Sequence, residues 1–550
     1  GPFDVNEGMK MSLGSTAKVR TLVHYLELME GLHHEIAGLS PASRAAYAAN
    51  ARDPLTRWAC ETLAEKPSMP IDSFLTRAVE RPYSASPWEQ FFTGGGLHSF
   101  VNFDPNDNYR RLTIRDAAAH STNLVFVRLM RDIVRYHEAR LPYDTQKVLS
   151  GADSLTRKSM LNGIAEEESR AAILKSYREY HGLTPEETME HLLGVRNRSP
   201  RRLAMLYFAW HPDADSGALR TWLDRYAGRD SMAQADKLTK MYGDSSLSLE
   251  DYAYLLDKHP LEIWSAGAML RNPGLKREEL IASGADARRQ ASEWLFRTRN
   301  RRAQDSRLRT RFERDAFFRM TPSWRRLGFP FDRLVPSYAT AIGSSADRPT
   351  ALAELMGIIV NDGEGQPCVR ISRLVFGPAT PYHTALESEP PPARRLLSHA
   401  TASAARSVLT GVVESGSGTA HRLQHLFHDS NGTPIALGGK TGTGDNRFLT
   451  FGRGGRVISS QVVSRTAAFT FFIGDRYYGV VTASVFGKRA ASYRFTSALP
   501  LRFLELLAPS IEKRWQAPPA QGTQLVLLQH QRKGPAPTIK QAAPIAQAAL

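Results

Sequence analysis

The chain has 550 residues, more than one hydrophobic core usually supports, and this length excludes a single small domain. Hydrophobic residues make up 42% and charged residues 23%, a balance that is typical of folded chains rather than disordered ones. The net charge of +16 comes from 71 Lys and Arg against 55 Asp and Glu, and it favours anionic partners. Zinc-finger, RNP and P-loop spacings do not occur, so we expect no nucleic-acid binding.

The two cysteines, Cys60 and Cys368, are too few for a disulfide framework and too far apart in sequence for a metal-binding motif. No run of about eighteen or more apolar residues occurs, and no signal peptide opens the chain, so we expect no membrane anchor within it. The first residues, Gly1 and Pro2, resemble a tag scar or the start of a fragment. An export signal could therefore have been removed, and its absence does not indicate the cytoplasm.

Two helices are predicted near the start of the chain, and the second carries a polar cluster within its apolar pattern. Apolar residues at three- and four-residue steps predict a helix over residues 15–29, with Ser15 and Lys18 in its first turn. A second helix is predicted over 112–130, interrupted by the polar residues 120–123. Because Ser, Thr and Asn compete for backbone hydrogen bonds, this cluster predicts a helix junction that faces a cleft.

Residues 131–327 are dominated by helix signals. Thr184, Pro185 and Glu187 form the pattern of a capping box with proline at the first helical position. We therefore expect a large helical insertion here. Its end, residues 297–326, carries eleven arginines. These arginines suit either a solvated helix face or a docking patch for a protein or an anionic polymer.

The C-terminal part changes character. Alternating segments at 457–463, 467–473 and 478–486 predict antiparallel strands, and an amphipathic helix is predicted over 497–507. From residue 516 the composition is rich in Ala, Pro and Gln, which predicts a disordered tail over 516–550.

Three short motifs carry the chemistry, and the first is Ser15-Thr16-Ala17-Lys18. Residues three apart share a helix face, so the Lys18 amine can reach the Ser15 hydroxyl. A serine hydroxyl is a weak nucleophile near neutral pH, and an amine whose pKa is lowered by burial and by nearby cations can accept its proton. The motif predicts Ser15 as nucleophile and Lys18 as its base, although alone it would also suit a helix cap and an exposed lysine.

The second and third motifs are Ser121-Thr122-Asn123 and Lys440-Thr441-Gly442-Thr443. Ser121 and Asn123 flank one residue, so both can face the same cleft, where Ser121 would relay a proton and Asn123 would hold a substrate amide. Glycines around the third motif allow a ligand to lie against an edge strand. There the Thr441 and Thr443 hydroxyls would bind a carboxylate, and Lys440 would supply positive potential. Alone, these motifs would also suit a helix cap and a turn.

The order of the three motifs resembles that of the serine penicillin-recognising enzymes. Flanking blocks at residues 91–96, 113–123, 335–343 and 412–420 resemble the transpeptidase domain of class A penicillin-binding proteins. The resemblance implies an α+β fold, in which a five-stranded antiparallel sheet is sandwiched by helices, with the helical insertion added. It also implies that no metal or cofactor is used, and that the backbone amides of Ser15 and Thr443 form an oxyanion hole.

The resemblance assigns catalytic roles to some of the motif residues and substrate binding to the others. The catalytic residues are Ser15, Lys18 and Ser121, and the substrate-binding residues are Asn123, Lys440, Thr441, Gly442 and Thr443.

The activity implied is that of a D,D-transpeptidase, which cross-links peptidoglycan stem peptides through an acyl-enzyme on Ser15 and is inhibited by β-lactams. Such a protein acts in the periplasm, on the extracytoplasmic face of the bacterial inner membrane. D,D-carboxypeptidase, endopeptidase and β-lactamase activities share the acylation step and differ in whether an amine or water attacks the acyl-enzyme. A non-catalytic scaffold or sensor that keeps the fold is a further alternative.

We therefore expect a transpeptidase domain in two parts, 1–130 and 328–515, separated by a helical module over 131–327 and followed by the tail. Only fourteen residues precede Ser15, so we expect the sheet to lack an edge strand.

Overall fold

A computed structural model describes residues 4–194, 198–243, 247–369, 371, 373–387, 391–451 and 457–516. The predicted tail lies outside the described residues, apart from its first residue. The α-helices are α1 (Val5–Gly8), α2 (Ala17–Ile36), α3 (Pro41–Ala49), α4 (Pro54–Glu65), α5 (Ile71–Val79), α6 (Ile114–His120), α7 (Asn123–Glu138), α8 (Thr145–Ser150), α9 (Ser154–Tyr180), α10 (Pro185–Leu193), α11 (Pro200–Trp210), α12 (Ser216–Ala227), α13 (Ala235–Tyr242), α14 (Leu249–Leu256), α15 (Pro260–Arg271), α16 (Arg277–Ser283), α17 (Ala285–Glu293), α18 (Arg301–Arg326), α19 (Pro349–Val360), α20 (His399–Glu414) and α21 (Ala498–Gln516). The strands are β1 (Pro82–Ser84), β2 (Phe91–Thr93), β3 (Gly96–His98), β4 (Arg111–Thr113), β5 (Glu364–Gly365), β6 (Arg373–Phe376), β7 (Thr384–Glu387), β8 (Arg394–Arg395), β9 (Leu437–Phe451), β10 (Val457–Ile473) and β11 (Tyr477–Phe486).

The main sheet is antiparallel, and its strands lie in the order β11-β10-β9. Helices cover both of its faces, as the resemblance implies. Ala468 and Phe472 of β10 pack towards α19, whereas Phe469 and Phe471 pack in a cluster with Leu504 of α21. The remaining strands of the described residues form two-stranded sheets. The three strands of the main sheet do not show the predicted five.

The strands predicted at 457–463 and 467–473 form one continuous strand, β10. Ser464 and Thr466, which lie between the two predicted segments, pair with Asn446 and Gly444 of β9 and therefore stay extended. Polar residues alone resembled a turn, but the neighbouring strand supplies their backbone partners. An irregularity in register between Val462 and Ser464 marks the former boundary.

The helices predicted near the first two motifs are present, but the second begins at Ile114, because Leu112 and Thr113 belong to strand β4. A 3₁₀ turn, Gly14–Thr16, leads directly into α2. The second predicted helix divides at its polar residues, with α6 ending at His120 and α7 beginning at Asn123. The predicted helix after the sheet is present as α21 and runs further than expected.

The main hydrophobic core joins helices from both ends of the chain. Tyr25 of α2, Phe126 of α7, Phe317 of α18 and Val408 of α20 belong to one buried cluster. No helix in the described ranges combines the length and the apolar character that a membrane crossing requires.

The expected helical module contains hydrophobic clusters of its own. One is built entirely from residues 173–287, and Thr184 forms the predicted capping box at the start of α10. A second, smaller cluster joins Leu161 of α9 to Leu308 and Phe312 of α18. Both ends of the 131–327 range, however, pack in the main core, because α7 continues to Glu138 and the end of α18 contributes Met320 and Trp324.

Several arginines of α18 form ion pairs within the module. Arg307 lies 2.9 Å from Glu168, and Arg314 lies 2.6 Å from Glu167, both acids being on α9. Arg311 pairs with Asp315 on its own helix at 2.9 Å. This part of the arginine run is therefore neutralised by the chain's own carboxylates.

The 173–287 cluster is expected to be removable. A Cβ placed on Gly284 would lie 3.0 Å from Cδ1 of Ile173, so the chain enters and leaves the cluster at the same place. Replacing residues 174–283 by a short Gly-Ser linker should leave the main core intact. We expect cooperative thermal unfolding of the shortened chain, with a main-core midpoint within about 5 °C of that of the full chain.

The matched control replaces residues 131–327 by the same linker. That deletion removes Ile133, Phe317 and Trp324 from the main core and should give an insoluble or non-cooperative product. Loss of cooperative unfolding in the 174–283 replacement would contradict the separate cluster.

Candidate active site

The nucleophile candidate lies in a turn that is pressed against strand β9. Ser15 is half-buried in the 3₁₀ turn that leads into α2, so its hydroxyl lies at the start of a long helix. Gly14 has φ +56°, and a Cβ there would lie 2.2 Å from the backbone oxygen of Thr443. Gly343 closes the other side, since its Cβ would lie 2.7 Å from the Gly14 oxygen. Glycine is therefore required for this close approach.

Lys18 is almost fully enclosed, with 1% of its surface exposed. Its Nζ lies 3.0 Å from Oγ of Ser15. It also lies 2.5 Å from the backbone oxygen of Ser121 and 2.8 Å from Oδ1 of Asn123. The helical spacing predicted for the first motif thus brings the Lys18 amine to the Ser15 hydroxyl. Ser121 and Asn123 of the second motif supply the other oxygen atoms around this amine.

Lys440, on strand β9, contacts Ser121 of the second motif. It is 1% exposed, and its Nζ lies 2.8 Å from Oγ of Ser121. Its other near partners are the backbone oxygen of Thr441 at 3.2 Å and the hydroxyl of Thr441 at 3.4 Å. Oγ of Ser121 is also 3.2 Å from Nζ of Lys18, so this hydroxyl bridges two buried amines.

Burial favours the neutral form of both amines, and repulsion by Lys440 adds to this effect at Lys18. Burial lowers the pKa of Lys18 well below its usual value, the charge of Lys440 lowers it further, and Asp107 opposes the shift. Burial lowers the pKa of Lys440 to about 7. A lysine that loses its proton near neutrality can act as a base.

The second motif is held by the loop that precedes β4. Ser121 has φ +62°, a left-handed conformation in which α6 stops. The Thr122 hydroxyl donates a 2.5 Å hydrogen bond to the buried carboxylate of Asp107. The side-chain amide of Asn123 donates to the backbone oxygen of Val101 at 2.9 Å. These contacts fix Ser121 and Asn123 on the same side of the junction. Asp107 was not among the predicted site residues, because no local sequence pattern marks its contact with Thr122.

The third motif is packed tightly against the 3₁₀ turn Gly14–Thr16, here called the nucleophile turn. A Cβ on Gly442 would lie 2.1 Å from the backbone oxygen of Leu13, so only glycine permits this contact. Thr441 is 3% exposed, and its hydroxyl lies 2.8 Å from that of Thr419. Thr443 accepts a hydrogen bond from the Ser497 amide at 3.0 Å.

Thr419 was not among the predicted site residues, although the resembling block at 412–420 contains it. It is exposed, and its amide donates to the oxygen of Ala119 at 3.0 Å. Its hydroxyl therefore lies beside Thr441 at the side of the site open to solvent.

The structure brings the eight predicted site residues together at one place. Five of them, Ser15, Lys18, Ser121, Asn123 and Lys440, form a continuous set of polar contacts. Thr441 joins them through Lys440, and the backbone of Gly442 and Thr443 lies against residues 13 and 14. The arrangement can deprotonate a serine hydroxyl with a buried amine and can pass a proton through a second hydroxyl.

No protein-family model and no curated protein matches the chain. Among solved structures it is similar to apo penicillin-binding protein 3 from Mycobacterium tuberculosis, with 21% identity, a TM-score of 0.25 and coverage of 36% of this chain and 48% of that one. It is also similar to the D,D-transpeptidase domain of a peptidoglycan glycosyltransferase from Eggerthella lenta, with 15% identity, a TM-score of 0.33 and coverage of 93% and 68%. The transpeptidase domain of Burkholderia pseudomallei penicillin-binding protein 3 has 17% identity, a TM-score of 0.25 and coverage of 40% and 64%. The chain spans about half the length of the Mycobacterium protein that it matches.

The close contact between β9 and the nucleophile turn predicts that adding one methyl group at Gly442 lowers the stability of the protein. Gly442→Ala would force the β9 backbone away from Leu13 and should lower the free energy of unfolding by about 1–3 kcal/mol. Denaturant unfolding measures the loss.

Gly411→Ala in α20 is the matched control, because a Cβ there meets nothing within 4 Å. This substitution should be neutral or stabilising by up to about 1 kcal/mol. Equal stabilities of the two variants would contradict the close packing at Gly442.

Proposed function

We propose that the protein is a serine acyltransferase, and specifically a D,D-transpeptidase that cross-links peptidoglycan stem peptides and is acylated by β-lactams. The observation that carries the proposal is the 3.0 Å contact between the Ser15 hydroxyl and the buried amine of Lys18, whose pKa is well below its usual value. A structural lysine is normally exposed and charged, whereas this one is enclosed among potential proton-transfer partners. Peptidoglycan lies outside the cytoplasmic membrane, so we propose extracytoplasmic action.

In the acylation step, Lys18 accepts the Ser15 proton while Oγ of Ser15 attacks the substrate carbonyl carbon. The ester bond to Ser15 forms as the C–N bond of the amide breaks. The departing amine needs a proton, and the Ser121 hydroxyl can pass one on because it contacts both Lys18 and Lys440. The resemblance implies that the backbone amides of Ser15 and Thr443 stabilise the negatively charged oxygen that develops on the substrate carbonyl. The Thr443 backbone lies against the nucleophile turn.

The second half-reaction separates a transpeptidase from a carboxypeptidase or a β-lactamase. We propose attack by an amine, because the flanking sequence blocks resemble class A transpeptidases. A peptide ending in D-Ala-D-Ala, incubated with an added amine acceptor and followed by mass spectrometry, tests this choice. The aminolysed product should exceed the hydrolysed one, and hydrolysis alone would favour a carboxypeptidase.

The first functional prediction concerns acylation by penicillin. Intact-protein mass should rise by one drug molecule, and Ser15→Ala should abolish the shift. Lys18→Ala should lower the acylation rate at least about a hundredfold, because it removes the positioned base. Lys158→Ala, which removes an exposed lysine of α9, is the control and should keep the wild-type rate. A folded wild-type protein that stays unmodified at millimolar penicillin would sink the proposed activity.

The second functional prediction concerns the pH dependence of acylation. The rate should rise with pH as Lys18 loses its proton, with an apparent pKa far below that of a free lysine. Repulsion by Lys440 is one cause of this low pKa, so Lys440→Gln should raise it and move the pH–rate curve to higher pH. Stopped-flow acylation across a pH series measures the shift. Lys158→Gln should leave the curve in place, and a shift to lower pH in Lys440→Gln would contradict the assigned repulsion.

A further inference from the structure

A cavity of about 270 Å³ lies between α7, α8 and α18, and its lining includes none of the eight site residues. The walls come from both sides of the helical module: Arg135 and Glu138 belong to α7, Gln146 to α8, and Arg309 and Phe312 to α18. Its volume is close to the lower end of the range for pockets that bind small organic molecules.

Two of the cavity's carboxylates already have partners. Glu89 pairs with Arg131 at 2.5 Å. Glu313 is 4% exposed and accepts hydrogen bonds from the Thr93 hydroxyl and, at 2.8 Å, from the Gly94 amide. These two acids are therefore occupied in holding the protein together.

Two arginines of the cavity have no such partner. Arg135 and Arg309 are exposed, and within the described residues neither makes a hydrogen bond through its guanidinium or an ion pair within 4 Å. Both arginines act on Glu138, whose pKa burial raises to about 7 against their opposing charges. Near neutrality Glu138 is thus only partly charged, and the cavity keeps an excess of positive charge.

Aromatic rings form part of the remaining walls, beside the polar side chains of Gln90, Thr145 and Gln146. Phe92 and Tyr338 are half-buried and line the cavity, whereas Phe91 and Phe312 are almost fully buried. The guanidinium of Arg131 lies over the ring of Phe91 at 5.5 Å. Inorganic anions gain little from such walls, whereas an apolar or aromatic body gains the burial of its surface. Guanidinium groups bind carboxylate and phosphate groups through charge-assisted hydrogen bonds.

We propose that this cavity binds a small organic anion, whose carboxylate or phosphate lies between Arg135 and Arg309 and whose apolar body packs on Phe92 and Tyr338. The site is independent of the chemistry at Ser15. It would make the helical module a ligand-binding part of the protein rather than a cover for the sheet.

The full chain should be titrated at constant ionic strength with phenyl phosphate, benzoate, inorganic phosphate and benzylamine, followed by ligand-observed NMR. Phenyl phosphate or benzoate should bind, and the tighter of the two identifies the anionic group. Inorganic phosphate should bind at least about tenfold more weakly because it lacks the apolar body. Benzylamine, which has the ring and the opposite charge, should not bind.

The double variant Arg135→Gln with Arg309→Gln should lose at least about tenfold in affinity for the tighter probe. The double variant Arg299→Gln with Arg302→Gln is the control, because both of these exposed arginines lie outside the cavity lining and their loss changes the charge by the same amount. Unchanged thermal unfolding of each variant shows that the fold is kept. The proposal is overturned if neither organic anion binds, if the double variant binds as the wild type does, or if inorganic phosphate or benzylamine binds equally well.

Discussion

The enclosure of one amine is the constraint on which the site depends. Lys18 is almost fully buried, and a buried amine is costly unless polar atoms surround it. Those atoms come from its own helix turn and from the α6–α7 junction, 103 to 105 positions further along the chain. Lys440, still further away, reaches the same Ser121 hydroxyl. Satisfying these two amines therefore requires three distant segments to meet.

Close backbone packing makes that meeting possible. Gly14, Gly343 and Gly442 each lie where a Cβ would overlap backbone atoms of another segment. The absence of a side chain lets β9 and the nucleophile turn approach within backbone contact, which places the third motif beside the first. Because β9 is held by the full length of β10, this approach is braced by the main sheet rather than by a flexible loop.

The helical module is connected to the site by more than chain continuity. Helix α7 begins at Asn123, beside the amine of Lys18, and ends at Glu138, in the wall of the cavity. Glu313 of α18 holds Thr93, which in turn accepts a hydrogen bond from the Tyr338 amide at 2.8 Å. The segment that begins at Tyr338 ends at Gly343, against Gly14. The cavity walls are therefore connected to the second motif through α7 and to the nucleophile turn through the segment from Tyr338 to Gly343.

The sequence by itself determined the local features: the one-turn spacing of Ser15 and Lys18, the helix break at Ser121, the strand that carries Lys440 and the cap at Thr184. Each of these follows from residues close together in the chain, where periodicity and capping chemistry act. Only the tertiary structure decided that β10 is one strand, that Asp107 and Thr419 join the site, that Glu167 and Glu168 neutralise part of the arginine run, and that both ends of the expected module pack in the main core. These outcomes depend on partners more than a dozen residues away, whose proximity no local pattern specifies.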